Sequence, residues 1–283
     1  MTLGQALHQT STTFSGNKID DARVEAEILL RHVLNIDRVG LYLDLQRQLT
    51  SDEAASLGEL VRRRINREPS AYITGHTEFA GLDLATAPAA LIPRPETELL
   101  VEKAVELVSG MQQQPLIADI GTGCGAIAIA LAVRLPRAMI YATDVSEPAL
   151  ELAGLNCRRH SVADAITLLQ GNLAEPLPEP VHLIVANLPY VRDADMGVLA
   201  AEIWAFEPTI ALNGGPDGLR LIEKLLGQAH ERLVPTGGII LEIAYDQGQA
   251  VCDLAGHYLP HAAARVTQDL AGLDRLVAIT HEG

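Results

Sequence analysis

Positive charge, cysteine and long apolar runs are all scarce in this 283-residue chain, and each shortage closes off a class of function. Lysine and arginine number 21 against 36 aspartates and glutamates, a formal net charge of -15, so no diffuse basic surface is available to grip a phosphate backbone. No direct nucleic-acid binding is expected. Three cysteines, Cys124, Cys157 and Cys252, make no disulfide framework in a chain of this size. None is spaced with a second ligand as a zinc site requires, and no metal is expected. No stretch approaches about 18 uninterrupted apolar residues, and the opening "MTLGQALHQTSTTF" has neither the charged lead nor the apolar core of a signal peptide. The expectation is a soluble, cytoplasmic protein with no membrane partner.

What is present divides the chain. Residues 1–75 read as helices only: "DDARVEAEILLRHVLN" places Val24, Ile28 and Leu29 on one helical face, and "TSDEAASLGELVRRRINREP" opens with a possible capping box from Thr50 to Glu53 before Pro69 stops it. A small all-helical domain is expected there. Residues 76–93 alternate apolar and polar positions around Gly81 and predict an extended or hairpin linker. From residue 94 to 283 short apolar runs ("PLIADI", "AMIYATD", "AITLLQ", "HLIVAN", "GGIILEIA") alternate with helical segments, which implies an α/β domain with a mostly parallel sheet covered on both faces. "ARVTQDLAGLDRLVAITH" leaves no room for a crossover helix, so the last two strands should form an antiparallel hairpin.

Three motifs could carry chemistry. In "ADIGTGCGAIAIALA" a predicted strand delivers Gly121, Thr122, Gly123, Cys124 and Gly125 into a tight turn before a helix, where backbone can approach a ligand and unpaired N–H groups are on offer. The same glycines with Ala126 also satisfy a relaxed dinucleotide fingerprint. Asp119 beside them would oppose a pyrophosphate but suits a cationic ligand such as the aminopropyl portion of S-adenosylmethionine. Asp144 closes the next strand, roughly 20 residues on, where a carboxylate can accept both hydroxyl hydrogen bonds of a ribose; the alternative is a helix cap, which Ser146 could serve equally well. Asn172 and Leu173 in "QGNLAEPL" follow the third strand, where an adenine would lie, or form a plain polar turn.

The third motif is "NLPY", Asn187 to Tyr190, following the fourth apolar strand. The Asn187 side-chain oxygen and the carbonyl of Leu188 can act as two acceptors aimed at one NH2 group, Pro189 stiffens the turn, and the Tyr190 ring can wall a planar group. Two acceptors take the two N–H bonds and leave the nitrogen lone pair facing an incoming methyl group, which is catalysis by orientation and electrostatics. A simple Asx-type turn with a core tyrosine is the alternative.

"GTGCG", Asp144 and "NLPY" resemble the class I S-adenosylmethionine-dependent methyltransferases, in the branch that methylates exocyclic or amide nitrogen. "YITGHTEFAGLDL", "LIPRPETELLVE", "EPTIALNGGPDGLRLIEKLL", "GGIILEIAYDQ" and "DLAGLDRLV" are similar to the peptide chain release factor glutamine methyltransferases, the PrmC or HemK family, across nearly all of residues 60–283. The resemblance implies a Rossmann-like seven-stranded sheet, S-adenosylmethionine as cofactor, and N5 methylation of the glutamine in the Gly-Gly-Gln motif of class-1 release factors. Leu188 stands where the family has its first proline, and "NLPY" is the form common in rRNA adenine dimethyltransferases; a backbone carbonyl exists in either case. Ala244 replaces a common glycine.

In "RPETE", Pro95 suits a first helical position, Glu96 and Glu98 suit the positive end of a helix dipole, and Arg94 is expected to shape the mouth of the site. The run "RRRINR", Arg62 to Arg67, reads as a solvated helix face or a basic patch for an acidic partner. The rivals to a release factor as acceptor are ribosomal protein L3 glutamine and adenine in nucleic acid. A nicotinamide-dependent oxidoreductase would use the same glycine turn but gives no reason for "NLPY", and a non-catalytic module would bind cofactor without turnover.

Overall fold

The computed structural model describes residues 1–281, so positions 282 and 283 of the expected second domain lie outside the described residues. The chain divides into two units, Met1–Gly75 together with Ala200–Phe206, and His76–Leu199 together with the residues from Glu207 onward.

The first unit is built from α1 (Leu3–Gly16), α2 (Ala22–Leu34), α3 (Arg38–Leu43), α4 (Ser51–Ile65) and α5 (Ser70–Thr74). Reciprocal capping boxes start two of them, Thr2 with Gln5 on α1 and Thr50 with Glu53 on α4, each satisfying N–H groups that the first helical turn leaves without a partner. Leu3, Leu7 and Phe14 of α1 pack with Ala26, Leu29 and Leu30 of α2 and with Leu41, Leu57 and Ile73. Of the three α2 residues expected on one face, Leu29 is buried, Ile28 is half-buried and Val24 is exposed. Val24 is corrected to a surface position: the buried stripe runs through Ala26, Leu29 and Leu30 instead.

The Arg62–Arg67 run also differs from expectation. Arg62 pairs with Glu59 and Arg63 with Glu68, while Arg67 donates to the carbonyls of Asn17 and Lys18. Arg64 is buried and reaches Glu25 at 2.8 Å and Glu202 at 3.1 Å. Arg62 is exposed as a solvated face requires, whereas Arg64 is not, so the run is not one uniform surface.

The second unit opens with a hairpin, β1 (His76–Phe79) and β2 (Leu82–Ala85). Ala80 and Gly81 at its tip have φ of 52° and 77°, the positive values a two-residue hairpin turn requires. A helical turn at Pro95–Thr97 leads into α6 (Glu98–Val108). Then come β3 (Leu116–Ile120), α7 (Ala126–Arg134), β4 (Met139–Asp144), α8 (Glu147–Arg159), β5 (Ile166–Gln170), β6 (Val181–Ala186) and β7 (Val191–Arg192). The helix α9 (Ala201–Phe206) belongs to the first unit. The remainder is β8 (Asn213–Gly215), α10 (Arg220–Arg232), β9 (Leu233–Glu242), α11 (Gly248–Tyr258), β10 (Ala262–Gln268) and β11 (Asp274–His281).

Seven strands form one sheet in the order β10-β11-β9-β6-β3-β4-β5. The five from β9 to β5 run parallel, and β11 is antiparallel to both β9 and β10. One face is covered by α6, α7 and α8 through residues such as Leu100, Val101, Ile129 and Leu131, the other by α10 and α11 through Ile222, Leu225 and Val251. This is the class I methyltransferase architecture. The chain proceeds outward from β3 through β4 to β5 and then returns to β6 on the other side of β3. That reversal opens a crevice at the carboxyl ends of β3 and β6, where ligands bind in sheets of this kind. No helix among the described residues is long and apolar enough to cross a membrane.

Candidate active site

A cavity of about 480 Å³ occupies that crevice. Its floor is the glycine loop after β3. Gly121 and Thr122 both donate their N–H to the carbonyl of Thr143 on β4, at 2.9 Å each, and Gly125 donates to the Thr122 carbonyl. The turn leaves no room for side chains at two points. Gly121 has φ of 75° and a Cβ there would stand 3.2 Å from the Leu188 Cδ2; Gly125 has φ of 86° and its Cβ would meet Ile129 and Ala153 at 3.1 and 3.2 Å. Only glycine takes these conformations at these contacts without strain.

Asp119 lies beneath this loop, fully buried, and does not line the cavity. One carboxylate oxygen accepts from the Thr122 hydroxyl at 2.6 Å and from the Ala128 N–H at 3.1 Å, while the other has no hydrogen-bond partner. Burial pushes this carboxyl up to about 7. Its place corrects the expectation that its charge meets the ligand directly: it fastens the loop to the first turn of α7.

Asp144, at the end of β4, does line the cavity. Its Oδ2 accepts from the Gly123 N–H and its Oδ1 from the Ser146 N–H, both at 2.9 Å. Ser146 is the cap of α8, its hydroxyl accepting from Ala149, so the helix cap does not consume Asp144. Carboxylate oxygens carry further lone pairs, and Asp144 keeps capacity for hydroxyl donors. Asn172 and Leu173 also line the cavity. Leu173 has a φ of 55° and its carbonyl accepts from Thr143, while the Asn172 side chain donates to Glu175. Cys124 lines the cavity, and burial raises its thiol to about 12, so it is no thiolate near neutral pH.

At the other end of the cavity stand Asn187, Leu188 and Pro189. Asn187 Nδ2 donates to the Thr97 hydroxyl at 3.1 Å, leaving Oδ1 as the uncommitted acceptor of the amide. Leu188 is buried in the core beneath the loop. Tyr190 does not line this cavity. It borders a neighbouring depression of about 440 Å³ with Arg192, Tyr245 and Arg275, and its hydroxyl donates to Glu242 at 3.4 Å. Burial first, then the Glu242 charge, push its phenol well above the usual range. The expected aromatic wall is therefore turned away from the main cavity. Arg94 lines the mouth and is paired with Glu207, a buried carboxylate that also accepts from the Ile92 N–H.

The structure thus brings Gly121, Thr122, Gly123, Cys124, Asp144, Asn172, Leu173, Asn187, Leu188, Pro189 and Arg94 to one cavity, and leaves Asp119, Gly125 and Tyr190 off its lining; Gly125 instead lies against Ile129 and Ala153. Sequence reading missed Thr97, Glu207 and Glu242. Glu242 had a signal of its own kind, an acidic residue ending an apolar strand as Asp144 does. A mostly hydrocarbon cavity of this size with a few convergent polar groups, a backbone turn bare of side chains and one carboxylate at its side suits a nucleoside-sized ligand.

The comparisons with known proteins agree with this geometry. A model of the PrmC N-terminal domain matches residues 5–75, and one of the methyltransferase small domain matches residues 96–215. The chain is 42% identical over 276 residues to the release factor glutamine methyltransferase of Moorella thermoacetica, covering 97% of each. It is 38% identical to that of Geobacter sulfurreducens over 98% of this chain and 95% of the relative. A solved methyltransferase from Pyrococcus furiosus, 19% identical, superposes with a TM-score of 0.52 over 72% of this chain and 90% of that one, a likeness of fold.

Proposed function

We propose, since the chain belongs to the release factor glutamine methyltransferase family, that it methylates the side-chain amide nitrogen of the glutamine in the Gly-Gly-Gln motif of class-1 release factors, with S-adenosylmethionine as donor. The observation that carries this reading is that Asp144 and Asn187 face one cavity across the glycine loop. When bound, S-adenosylmethionine supplies an electrophilic methyl carbon on a sulfonium. Asp144 would accept from the ribose hydroxyls, the backbone of Gly121 to Cys124 would lie against the ligand, and Asn172 and Leu173 would border the adenine.

Asn187 Oδ1 and the Leu188 carbonyl would accept the two N–H bonds of the substrate amide. An amide nitrogen is a poor nucleophile because its lone pair is delocalised, so holding both hydrogens and fixing the lone pair toward the methyl carbon is the contribution these groups make. No strong base is needed, because an N-methylated amide cation is itself a strong acid and releases its proton after transfer. The high thiol of Cys124 argues against a covalent route through cysteine. The helical first unit would recognise the protein substrate, and the three free cysteines fit a reducing, cytoplasmic setting.

The substrate is tested by offering a class-1 release factor, ribosomal protein L3 and ribosomal RNA together with labelled methyl donor. Label in the release factor is the expected outcome. Label in L3 or RNA alone would overturn the substrate and leave the cofactor reading standing.

A further inference from the structure

Gln247 stands immediately before α11, only 2% exposed, and its side chain bonds three separate stretches of backbone. Its Nε2 donates to the Tyr190 carbonyl at 3.3 Å and to the Asp217 carbonyl at 3.4 Å, while its Oε1 accepts from the Ala244 N–H at 2.9 Å. A primary amide has two N–H donors, and both are used. Burying a polar side chain is costly unless its bonds are made, and here they are made, all to main chain. Gln247 does not line the cavity. One of the carbonyls it holds nevertheless belongs to the Asn187–Tyr190 turn.

The segment 213–218 braces the same turn. β8 pairs with β7, the Val191 N–H donates to the Leu212 carbonyl at 3.0 Å, and the Asp193 N–H donates to the Gly215 carbonyl at 2.9 Å. A Cβ on Gly214 would stand 2.5 Å from the Pro189 carbonyl oxygen, and one on Gly218 would overlap the Tyr190 carbonyl oxygen and the Gln247 Nε2. In a close-packed interior a side chain at either position would force the backbone to shift.

The carbonyls held in this way, those of Pro189 and Tyr190, directly follow the carbonyl of Leu188. Peptide units are planar, so the Leu188 and Pro189 carbonyls are related only through φ and ψ of Pro189. The proline ring locks φ, and the packing of the Pro189 carbonyl against Gly214 restrains ψ. The direction of the Leu188 carbonyl is thereby set by the chain that comes after it.

We propose that Gln247 is a positioning residue for methyl transfer: by tying the Tyr190 carbonyl to the glycine segment 213–218 and to the chain leaving β9, it keeps the Leu188 carbonyl and the Asn187 amide aimed at the acceptor nitrogen. This rests on the reading of that pair as acceptors for the substrate amide. A delocalised lone pair reacts only when it is aimed at the methyl carbon, so a small tilt of the pair costs rate more than affinity. A carboxylate at position 247 could not substitute, because it would set an acceptor against two carbonyl acceptors.

The test is single-turnover methylation of a class-1 release factor at saturating S-adenosylmethionine over a series of release factor concentrations, with S-adenosylhomocysteine affinity measured by calorimetry on the same proteins. Gln247→Met keeps the length of the side chain and removes its donors and its acceptor. Its maximal rate is expected to fall about 10- to 100-fold, with the half-saturating release factor concentration and the cofactor affinity unchanged. A role in folding alone would lower the melting midpoint and leave that rate intact in the folded protein. Gln247→Met at the wild-type rate, beside a strongly impaired Asn187→Ala, would overturn the positioning role while the reading of the acceptor pair stands. Asn187→Ala at the wild-type rate would overturn that reading itself. A slower rate matched by an equal loss of cofactor affinity would also overturn the positioning role. If Gln247→Met does not fold, Gln247→Glu decides, since it is nearly isosteric and still accepts from Ala244, and transfer at the wild-type rate in that variant overturns the proposal.

Discussion

Asp144 closes β4 and Asn187 follows β6, and both face the crevice, while Thr97, Glu207 and Glu242 act through neighbours brought up by distant elements: Asn187 for Thr97, Arg94 for Glu207, Tyr190 for Glu242. Asp144→Ala should weaken S-adenosylhomocysteine binding by about 10- to 100-fold, the worth of a charge-assisted hydrogen bond, and calorimetry that finds native affinity in the folded variant would remove Asp144 from the site. Asn187→Ala should slow single-turnover transfer roughly 100-fold, by analogy with the loss of one preorganised polar partner of a transition state. Leu188 carries two roles that its sequence motif merges. Its carbonyl is the proposed acceptor, whereas its side chain is buried against the glycine loop. Leu188→Pro keeps the carbonyl but strips core contacts, so it should cost about 1 to 3 kcal/mol of stability; an unchanged denaturation midpoint would contradict that packing role.

Elements were read well where periodicity and punctuation agreed, as in the Thr50–Glu53 capping box and the closing β10–β11 hairpin. They were read badly where one side chain departs from its neighbours. In α4 the run of arginines suggested one common environment, yet Arg62 is an exposed partner of Glu59 while Arg64 is buried between Glu25 and Glu202. The two should respond differently to truncation. Arg64→Ala should cost roughly 2 to 3 kcal/mol, below the range for fully buried pairs because both carboxylates are partly exposed. Arg62→Ala should be nearly silent in the same urea melts, since an exposed pair contributes little. Equal losses at the two positions would contradict the burial that separates them. The glycine loop shows the same dependence on particular contacts: Gly125→Ala would force a Cβ against Ile129 and Ala153, and a loss of about 1 to 3 kcal/mol is expected.

For the whole molecule, alternation of apolar runs with helical segments was enough to announce a parallel sheet, and the short final connection announced its antiparallel end. The passage of Ala200–Phe206 into the helical unit has no signal in composition, because a short helix carries the same amphipathic pattern whichever unit receives it. The buried acids also give the molecule a pH response. Asp119 and Glu242 both titrate near 7 when folded, above the ordinary carboxylate range, so the native state retains protons that the unfolded chain has lost between about pH 4 and about pH 7. Their contribution to stability is complete below that window and is lost as pH rises through it; Asp119→Asn with Glu242→Gln should flatten the fall seen in denaturant melts, and an unchanged pH slope would contradict it. Acidic surface, adenosine-sized cavity and Asn187 acceptor are proposed together to serve transfer of a methyl group to a glutamine amide in a protein. The most direct test is mass spectrometry of a class-1 release factor after incubation with the enzyme and S-adenosylmethionine. One added methyl on the Gly-Gly-Gln peptide, at the glutamine side chain, is expected, and a release factor left unmodified, or methylated at any other residue, would contradict the assignment.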